Sequence, residues 1–186
     1  MLKQLNAIQD LSPSLIEYLI QAVPPRTIQR NKYLLHPGQV TAPLYFVESG
    51  LLRSYHDNHS REVSTGFWKE NDWIITVESF FSASRAKENI KALEKTIVYP
   101  ISDHQLQGIC DRFPGFSLYL LRLVLQHHRL SLQLLDAIRG EMAKGRYNWL
   151  TEHLPDLPQR VSAKYLAPYI GITEEMLSMV KAGKKQ

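Results

Sequence analysis

The feature that most constrains this sequence is a leucine-rich segment from Gly115 to Gly140, which carries two apolar stripes at helical spacing. Each stripe repeats in alternating steps of three and four residues, and on a helix their centres lie roughly 150° apart. A helix that is apolar on two opposite sides has to be covered on both. The first stripe consists of Phe116, Leu120, Leu123, His127, Leu130 and Leu134, and the second of Leu118, Leu121, Leu125, His128, Leu132 and Leu135.

One stripe can pack against the rest of its own chain, whereas the other needs a second cover. A symmetry-related copy is the simplest cover, because an isologous contact buries the same helix face on both chains. We therefore predict a homodimer; the alternative is a helix enclosed on both sides within one chain. His127 and His128 are expected to be core or interface residues, since adjacent helical side chains point about 100° apart and do not easily share a metal ion.

The segment from Thr27 to Ile101 has a different pattern, in which short β-branched and aromatic runs alternate with turn signals. A spacing of roughly 8–12 residues between such runs is typical of an antiparallel sandwich or barrel. Gly50, between two apolar runs, predicts a tight reversal of the chain. Residues 78–90 interrupt the pattern and predict a short helix and a loop. The predicted strands are residues 27–35, 44–49, 51–57, 61–68, 73–77 and 95–101.

Helices are predicted on both sides of the strands. Residues 12–21 have one apolar face, and Ser102 is a plausible cap for a helix over residues 103–112. Residues 141–153 predict a further helix after the leucine-rich one. The sequence from Leu154 to Pro158 contains two prolines, and we interpret it as a connector between domains.

The C-terminal segment predicts two short helices. Ser162 can cap a helix that ends at Gly171, and Thr173 can cap the next one. Two short helices joined by a turn that contains glycine form a helix-turn-helix pattern, whose second helix enters the DNA major groove. From residue 158 onward the sequence has five basic and two acidic residues. A basic segment of this kind is a candidate contact for a polyanion, although charge alone favours the alternative, a solvated C-terminus.

The order of these parts resembles the cyclic-AMP receptor protein / fumarate-nitrate regulator (Crp/Fnr) superfamily, in its short form without an evident wing. The stretches HPGQVTAPLYFVESGLLRSY and RVSAKYLAPYIGITEEMLS carry the likeness. It implies an α+β fold with an N-terminal antiparallel β-roll of jelly-roll type, flanking helices, a long dimerisation helix and a C-terminal helix-turn-helix. The implied domains are a sensor over residues 1–113, a dimerisation region over 114–153 and a DNA-binding segment over 154–186.

The resemblance also implies where an effector would bind. Members that bind a cyclic nucleotide hold the ribose with a Gly-Glu pair and the phosphate with an arginine. Here Val77 replaces the glycine before Glu78, and the arginine position falls on Ala86, one residue after Arg85. We expect a degenerate pocket and no resident cofactor, with a cyclic nucleotide or another small molecule as candidate effector; the alternative is that Glu78 and Arg85 are solvated surface residues. The candidate effector-binding residues are Glu78, Ser79, Arg85 and Asn89.

The resemblance also implies which residues would contact DNA. Recognition helices of the family commonly carry an arginine after the Leu-Ser pair, and this sequence has Met179 there, which cannot pair with guanine as arginine does. Glutamate can accept from cytosine, while a serine or lysine suits phosphates. The candidate DNA-binding residues are Thr173, Glu174, Glu175, Ser178 and Lys181.

Enzymatic motifs are absent from the sequence: it has no glycine-rich phosphate loop, no HExxH and no GxSxG. Its single cysteine, Cys110, excludes a multi-cysteine metal site. We expect no enzyme, but a homodimeric, effector-responsive transcription regulator that binds DNA. The alternative is a small-molecule sensor or protein-interaction module that does not bind DNA. No apolar run approaches ~18 residues, so we expect a cytoplasmic protein without a membrane partner.

Overall fold

The computed structural model describes residues 23–39, 43–58, 61–75 and 85–183, together with Ser14, Glu17, Tyr18 and Gln21. These residues belong to two compact units. The first lies within Met1–Tyr55 and Phe67–Leu123, and the second within His56–Gly66 and Val124–Gln186. The helix predicted over residues 12–21 lies mostly outside the described residues, and its four described positions are helical. The domain boundaries inferred from the sequence stay a prediction.

The strands form two four-stranded sheets, and the observed pairings are antiparallel, as predicted. The strand order is β1-β8-β3-β6 in the first sheet and β2-β7-β4-β5 in the second. The bounds are β1 Arg26–Ile28, β2 Tyr33–Leu35, β3 Leu44–Ser49, β4 Leu52–Asn58, β5 Arg61–Trp68, β6 Trp73–Ile74, β7 Asn89–Ala92 and β8 Thr96–Ile101.

Two strand predictions were wrong. Residues 27–35 are not one strand, because Asn31 has a φ of 66° and the Lys32 amide donates to the Gln29 carbonyl, which turns the chain between β1 and β2. Strand β7 lies partly in the segment predicted as helix and loop. Its short Asn-Ile-Lys-Ala sequence has a weak strand propensity, and its pairing with β2 and β4 determines its conformation.

The predicted reversal at Gly50 is confirmed. Gly50 has a φ of 96°, and a Cβ atom there would lie 2.5 Å from the side-chain oxygen of Thr96. Its amide donates to Glu70 Oε1 at 2.9 Å. Only glycine fits this turn, since both the backbone angle and the close approach exclude a side chain.

Six helices have defined bounds within the described residues. They are α1 Asp103–Arg112, α2 Gly115–Gly140, α3 Ala143–His153, α4 Leu157–Arg160, α5 Ala163–Tyr169 and α6 Glu174–Lys181.

The predicted helix starts are mostly confirmed. Ser102 caps α1 in a capping box, in which its side chain accepts from the Gln105 amide and the Gln105 side chain accepts from the Ser102 amide. The helix predicted from residue 141 begins at Ala143 instead. The predicted connector is shorter than expected, because Pro158 suits the first turn of a helix and α4 begins at Leu157.

The core of the first unit consists of two apolar clusters. One, which includes Val47, Leu52 and Ile90, is formed by strands of both sheets. In the other, α1 and α2 pack on the opposite face of the first sheet through Ile109, Phe116 and Leu123 among others.

The Trp73 indole donates to the Tyr119 hydroxyl at 2.8 Å, and burial raises the pKa of Tyr119 to about 12. This contact fixes the first half of α2 to strand β6.

Candidate functional site

The predicted effector residues occupy different environments. Glu78 and Ser79 lie outside the described residues. Arg85 is exposed, and its Nη1 atom donates to the Gly38 carbonyl at 3.1 Å. Asn89 is buried on β7, opposite Tyr55 of β4. Arg85 therefore stabilises the turn after β2.

Ala86 occupies the position that the family pattern gives to the phosphate-binding arginine. It is 7% exposed and belongs to the apolar cluster formed by the two sheets. Its amide donates to the Gln39 carbonyl at 2.9 Å, and its carbonyl accepts from the Gly38 amide at 2.8 Å. A buried phosphate needs a forked cation or several free amides, and this position offers a methyl group and a paired amide.

Trp68 and Ser54 add a side-chain contact beside the same cluster. The indole of Trp68 donates to the Ser54 hydroxyl at 3.3 Å, and its ring packs against the residues of the cluster. The roll therefore fills part of its interior with its own side chains.

A cavity of about 630 Å³ opens beside β1 to β3 of the first unit. Its lining residues include Arg26, Tyr33, His36 and Tyr45. Burial raises the pKa of Tyr45, and the charge of Arg26 opposes that rise. Neither Arg85 nor Asn89 is among its lining residues.

The second stripe of α2 is exposed on the single chain. We call this surface the leucine face; Leu125 is 57% exposed and its least exposed member, Leu135, is 38% exposed. By contrast, Phe116 and Leu123 of the first stripe are buried. A contiguous exposed apolar stripe is unusual for a monomer and marks an interaction surface. The leucine face consists of Leu118, Leu121, Leu125, Leu132 and Leu135.

Helices α5 and α6 meet at a tight turn in the second unit. Gly171 has a φ of 67°, and the Ile172 amide donates to the Ala167 carbonyl at 3.0 Å. The Thr173 hydroxyl accepts from the Met176 amide at 3.2 Å and so caps α6, as predicted. The two helices bury Leu166, Ala167, Ile170 and Leu177.

All five predicted DNA-binding residues are exposed at α6 or its cap. Glu174, Ser178 and Lys181 follow one another at i, i+4 and i+7 and so share a face of the helix. A hydrogen bond from Thr173 lowers the pKa of Glu175. The ammonium of Lys181 donates to the Pro158 carbonyl at 3.2 Å, so it is engaged within the chain in this structure.

The first part of β5, which belongs to the second unit, contacts α5 in a way that no motif or spacing predicts. The Ser64 hydroxyl donates to the Tyr165 carbonyl at 2.7 Å. A cavity of about 820 Å³ in this region is lined by Arg61 of β5, Lys164 of α5 and Glu174 of α6, among others. The start of α6 therefore shares a cavity with two cationic side chains.

Arg146 is another residue of the second unit that sequence reasoning missed. Its Nε atom donates to the Glu141 carbonyl just after α2, and its Nη1 atom donates to the Gly171 carbonyl in the turn between α5 and α6. One guanidinium thus joins the junction of α2 and α3 to the helix pair. The sequence carries no signal for this contact, because Arg146 and Gly171 are far apart in the chain.

Comparison with known proteins shows which domain and which solved structures this chain resembles. Residues 25–113 match the family model described as the cyclic nucleotide-binding domain. The structure of CooA from Carboxydothermus hydrogenoformans is similar over 98% of this chain and 83% of its own, with a TM-score of 0.72 and 19% identity. The chain has the fold of a Crp/Fnr regulator. The cyclic nucleotide-binding-like β-roll predicted from the sequence is thereby confirmed.

Other structures with the Crp/Fnr fold agree. The regulator CLP from Xanthomonas campestris has a TM-score of 0.71 at 19% identity, over 92% of this chain and 91% of its own. FixK2 from Bradyrhizobium japonicum has a TM-score of 0.72 at 14% identity, over 87% of this chain and 83% of its own.

A curated relative of a different kind is the cyclic nucleotide-gated channel alpha-4 of Mus musculus. It is 22% identical over 175 residues, which are 89% of this chain and 30% of the channel. The chain therefore spans less than a third of that relative. Within the described residues of this Crp/Fnr fold, no helix has the length and apolar character needed to cross a bilayer.

Proposed function

We propose that the chain is a homodimeric transcription regulator of the Crp/Fnr type, and that α5 and α6 form its DNA-binding helix-turn-helix. The carrying observation is the α5–α6 pair itself. Its turn is tight, the start of α6 is capped, and the side chains predicted to meet DNA all face solvent. In such a motif the second helix enters the major groove, where Glu174 and Glu175 are suited to cytosine and Ser178 to a phosphate.

The leucine face supports the homodimer. A second copy would bury the same five leucines on each chain, and burying apolar surface contributes about 25 cal/mol per Å² before the entropy lost on association. Two paired α2 helices would then present two helix-turn-helix units to half-sites one turn of DNA apart, about 34 Å.

We propose that the effector of this regulator is not a cyclic mononucleotide. Buried Ala86 stands at the arginine position that the resemblance implies, and the partly buried Trp68 packs against the same apolar cluster. The solved regulator CLP is described as responsive to c-di-GMP, so a ligand other than a cyclic mononucleotide has a precedent on this fold. In this proposed role the chain binds a small-molecule ligand and DNA and catalyses no reaction.

DNA binding is tested by fluorescence anisotropy with a pool of genomic fragments in a salt titration. Glu174→Lys should tighten low-salt binding to this unselected pool and raise the salt slope by about one contact. Binding without a specific site depends on the phosphate charge, and the change replaces a repelling carboxylate with a cation. The matched control is Asp111→Lys, which makes the same change of charge on α1. Absence of binding at low salt by an intact dimer would overturn the proposal and favour the alternative, a sensor that does not bind DNA.

Dimerisation is tested by light scattering at micromolar concentration. The wild-type chain should be a dimer, and Leu125→Glu should convert it to a monomer, because the leucine face would then bury a charge. Gln126→Glu adds the same charge to an exposed neighbouring position outside the stripe and should leave the dimer intact. A wild-type particle with the mass of one chain contradicts the homodimer.

A further inference from the structure

The cavity beside β1 to β3 is lined by none of the described residues at the family's effector positions, which are Arg85, Ala86 and Asn89. We call it the edge cavity, because β1 and β2 are edge strands of the two sheets. Its volume of about 630 Å³ suits a small organic molecule. The described residues that line it are Arg26, Tyr33, Leu34, His36, Gln39, Pro43 and Tyr45.

The register of the strands places Arg26 and Tyr45 on the same face of the first sheet. Arg26 lies opposite Val98, and Val98 lies opposite Val47, so these residues form one row across β1, β8 and β3. Val47 and Val98 belong to the apolar cluster formed by both sheets, as does Tyr45, which precedes Val47 by two residues. The charge of Arg26 opposes the rise in the pKa of Tyr45, which agrees with a guanidinium near the hydroxyl.

The hydroxyl of Tyr45 has no hydrogen-bond partner within the described residues. Tyr45 is only 3% exposed, yet its hydroxyl is not among the unpartnered atoms that are sealed from solvent. Because the residue lines the edge cavity, this small accessible surface opens into it. Other tyrosine hydroxyls of the first unit are bonded, that of Tyr99 to Glu48 and that of Tyr119 to Trp73. Since buried polar groups are normally bonded, the Tyr45 hydroxyl indicates that a ligand binds in the cavity.

The charge of the edge cavity indicates the sign of that ligand. Arg26 is exposed and has no ion pair within the described residues. His36 is a second basic side chain, and none of the described lining residues is an aspartate or glutamate. A guanidinium presents a fork of donors that matches a carboxylate or a phosphate. Arg26 supplies one permanent charge and Tyr45 a neutral donor, and this pair suits a singly charged carboxylate better than a doubly charged phosphate ester.

The part of the edge cavity that follows β2 is held by local contacts. The ring centroids of Tyr33 and His36 are 4.1 Å apart, and the Tyr33 hydroxyl lies 3.2 Å from the Tyr55 hydroxyl. The His36 amide donates to Gln39 Oε1 at 3.1 Å, and the Gln39 carbonyl accepts from the Ala86 amide at 2.9 Å. These residues are therefore in place before a ligand arrives, so binding requires little ordering of the chain.

We propose that the edge cavity binds a small organic carboxylate with an apolar body. The Arg26 guanidinium pairs with the carboxylate, and the Tyr45 hydroxyl donates to it. The apolar body packs against Leu34 and Pro43. The use of this site by the effector rests on the proposed function, whereas the binding itself does not.

Binding is tested by ligand-observed NMR on the chain without DNA, with pentanoate as the probe. Pentanoate should bind at millimolar concentration, and neutral pentanamide, which has nearly the same shape, should bind about tenfold more weakly. Butyl phosphate tests the alternative anion. Absence of pentanoate binding, or equal binding of the amide, would overturn the proposal, and tighter binding of butyl phosphate would contradict the choice of a carboxylate.

Two variants locate the site. Arg26→Gln and Tyr45→Phe should each weaken pentanoate binding about tenfold, because each removes a hydrogen bond to a charged group. The matched controls are Arg30→Gln, which removes an exposed cation between β1 and β2, and Tyr99→Phe, which removes a hydroxyl from β8. Both controls should keep the wild-type affinity. Circular dichroism shows that each variant is folded, and equal affinity of all four folded variants counts against the edge cavity.

The free state of the Tyr45 hydroxyl has a test of its own in the chain without ligand. Tyr45→Phe should not lower the free energy of unfolding, since no hydrogen bond is lost. Tyr119→Phe should lower it, because the Trp73 indole loses its acceptor. Urea unfolding measures both variants, and a clearly destabilised Tyr45→Phe variant would show that the hydroxyl already has a partner.

DNA binding separates the site from its use by the effector. A DNA affinity that changes with pentanoate in the wild type and not in Arg26→Gln assigns the effector to the edge cavity, and an affinity unchanged in both removes that role. Loss of DNA binding with pentanoate binding intact would remove the proposed function and leave the site.

Discussion

The Nη1 atom of Arg146 donates a hydrogen bond to the carbonyl oxygen of Gly171 at 2.7 Å. The same guanidinium donates through Nε to the Glu141 carbonyl at 2.8 Å. A planar guanidinium can hold two carbonyls in fixed directions, which a single ammonium cannot do. One side chain therefore links the α5–α6 turn to the start of α3.

Arg146→Lys should lower the free energy of unfolding by about 1 kcal/mol, because one of the two hydrogen bonds is lost at a solvent-accessible site. The measurement is urea unfolding followed by circular dichroism. Arg139→Lys, at the exposed end of α2, is the matched control and should change stability little. Equal stability of the two variants and the wild type would show that the bridge contributes nothing.

Gly171→Ala should destabilise the chain by about 1–2 kcal/mol, since a left-handed conformation is strained for any residue with a Cβ atom. That atom would also lie 3.1 Å from Arg146 Nη1. Gly108→Ala is the contrasting control, because Gly108 is in the middle of α1 and a Cβ atom there would meet no other part of the chain within 4 Å. It should stabilise the chain by roughly 0.5–1 kcal/mol. Thermal unfolding of both variants gives the comparison, and shifts in the same direction contradict it.

Thr173→Ala should cost about 1 kcal/mol, because the Met176 amide loses its side-chain acceptor at the start of α6. Thr173→Ser keeps the hydroxyl and should recover most of this loss. The amide exchange rate of Met176, measured by NMR, should rise in the alanine variant and stay near the wild-type rate in the serine variant. Unchanged exchange in the alanine variant is the contrary result.

Asp72 makes stability depend on pH. Burial raises the pKa of its carboxyl to about 6, although the Lys69 amide donates to it at 2.8 Å and opposes the rise. The folded chain therefore holds this proton more tightly than the unfolded chain, and the stability that the group contributes falls as the pH rises from about 4 to about 6.

Asp72→Asn should accordingly stabilise the chain near pH 8 and do so much less near pH 4, where the wild-type carboxyl is protonated. The asparagine keeps an oxygen that can accept from Lys69. Chemical unfolding of both proteins at the two pH values measures the difference. A stabilisation of the same size at both values would mean that Asp72 titrates normally.

The sequence predicts α2 and the capped helices well because their signals are local and repeated. All twelve positions of the two stripes fit one continuous helix. The side chains of Ser102 and Thr173 accept hydrogen bonds from backbone amides three residues further along the chain. Strand β7 could not be predicted from local signals, because the conformation of its four residues depends on pairing with two neighbouring strands. The contact of Arg146 with Gly171 could not be predicted from local signals either, since residues 25 apart come together only once α3, α5 and α6 have packed.

The candidate sites divide in the same way. The exposed positions on α6 could be predicted, because a capped amphipathic helix fixes which side chains face outward. The contact of Ser64 with Tyr165 could not, since one residue belongs to β5, the other belongs to α5, and they are far apart in the chain. The burial of Ala86 depends likewise on two sheets that the local sequence does not relate.

The proposed pairing of two chains through the leucine face has a consequence for the amount of active protein in a cell. Where single chains predominate, the concentration of pairs grows with the square of the concentration of chains, so doubling expression raises it about fourfold. A promoter that responds to the pair would amplify small changes in the supply of this chain, and the hydrophobicity of five side chains would set the threshold.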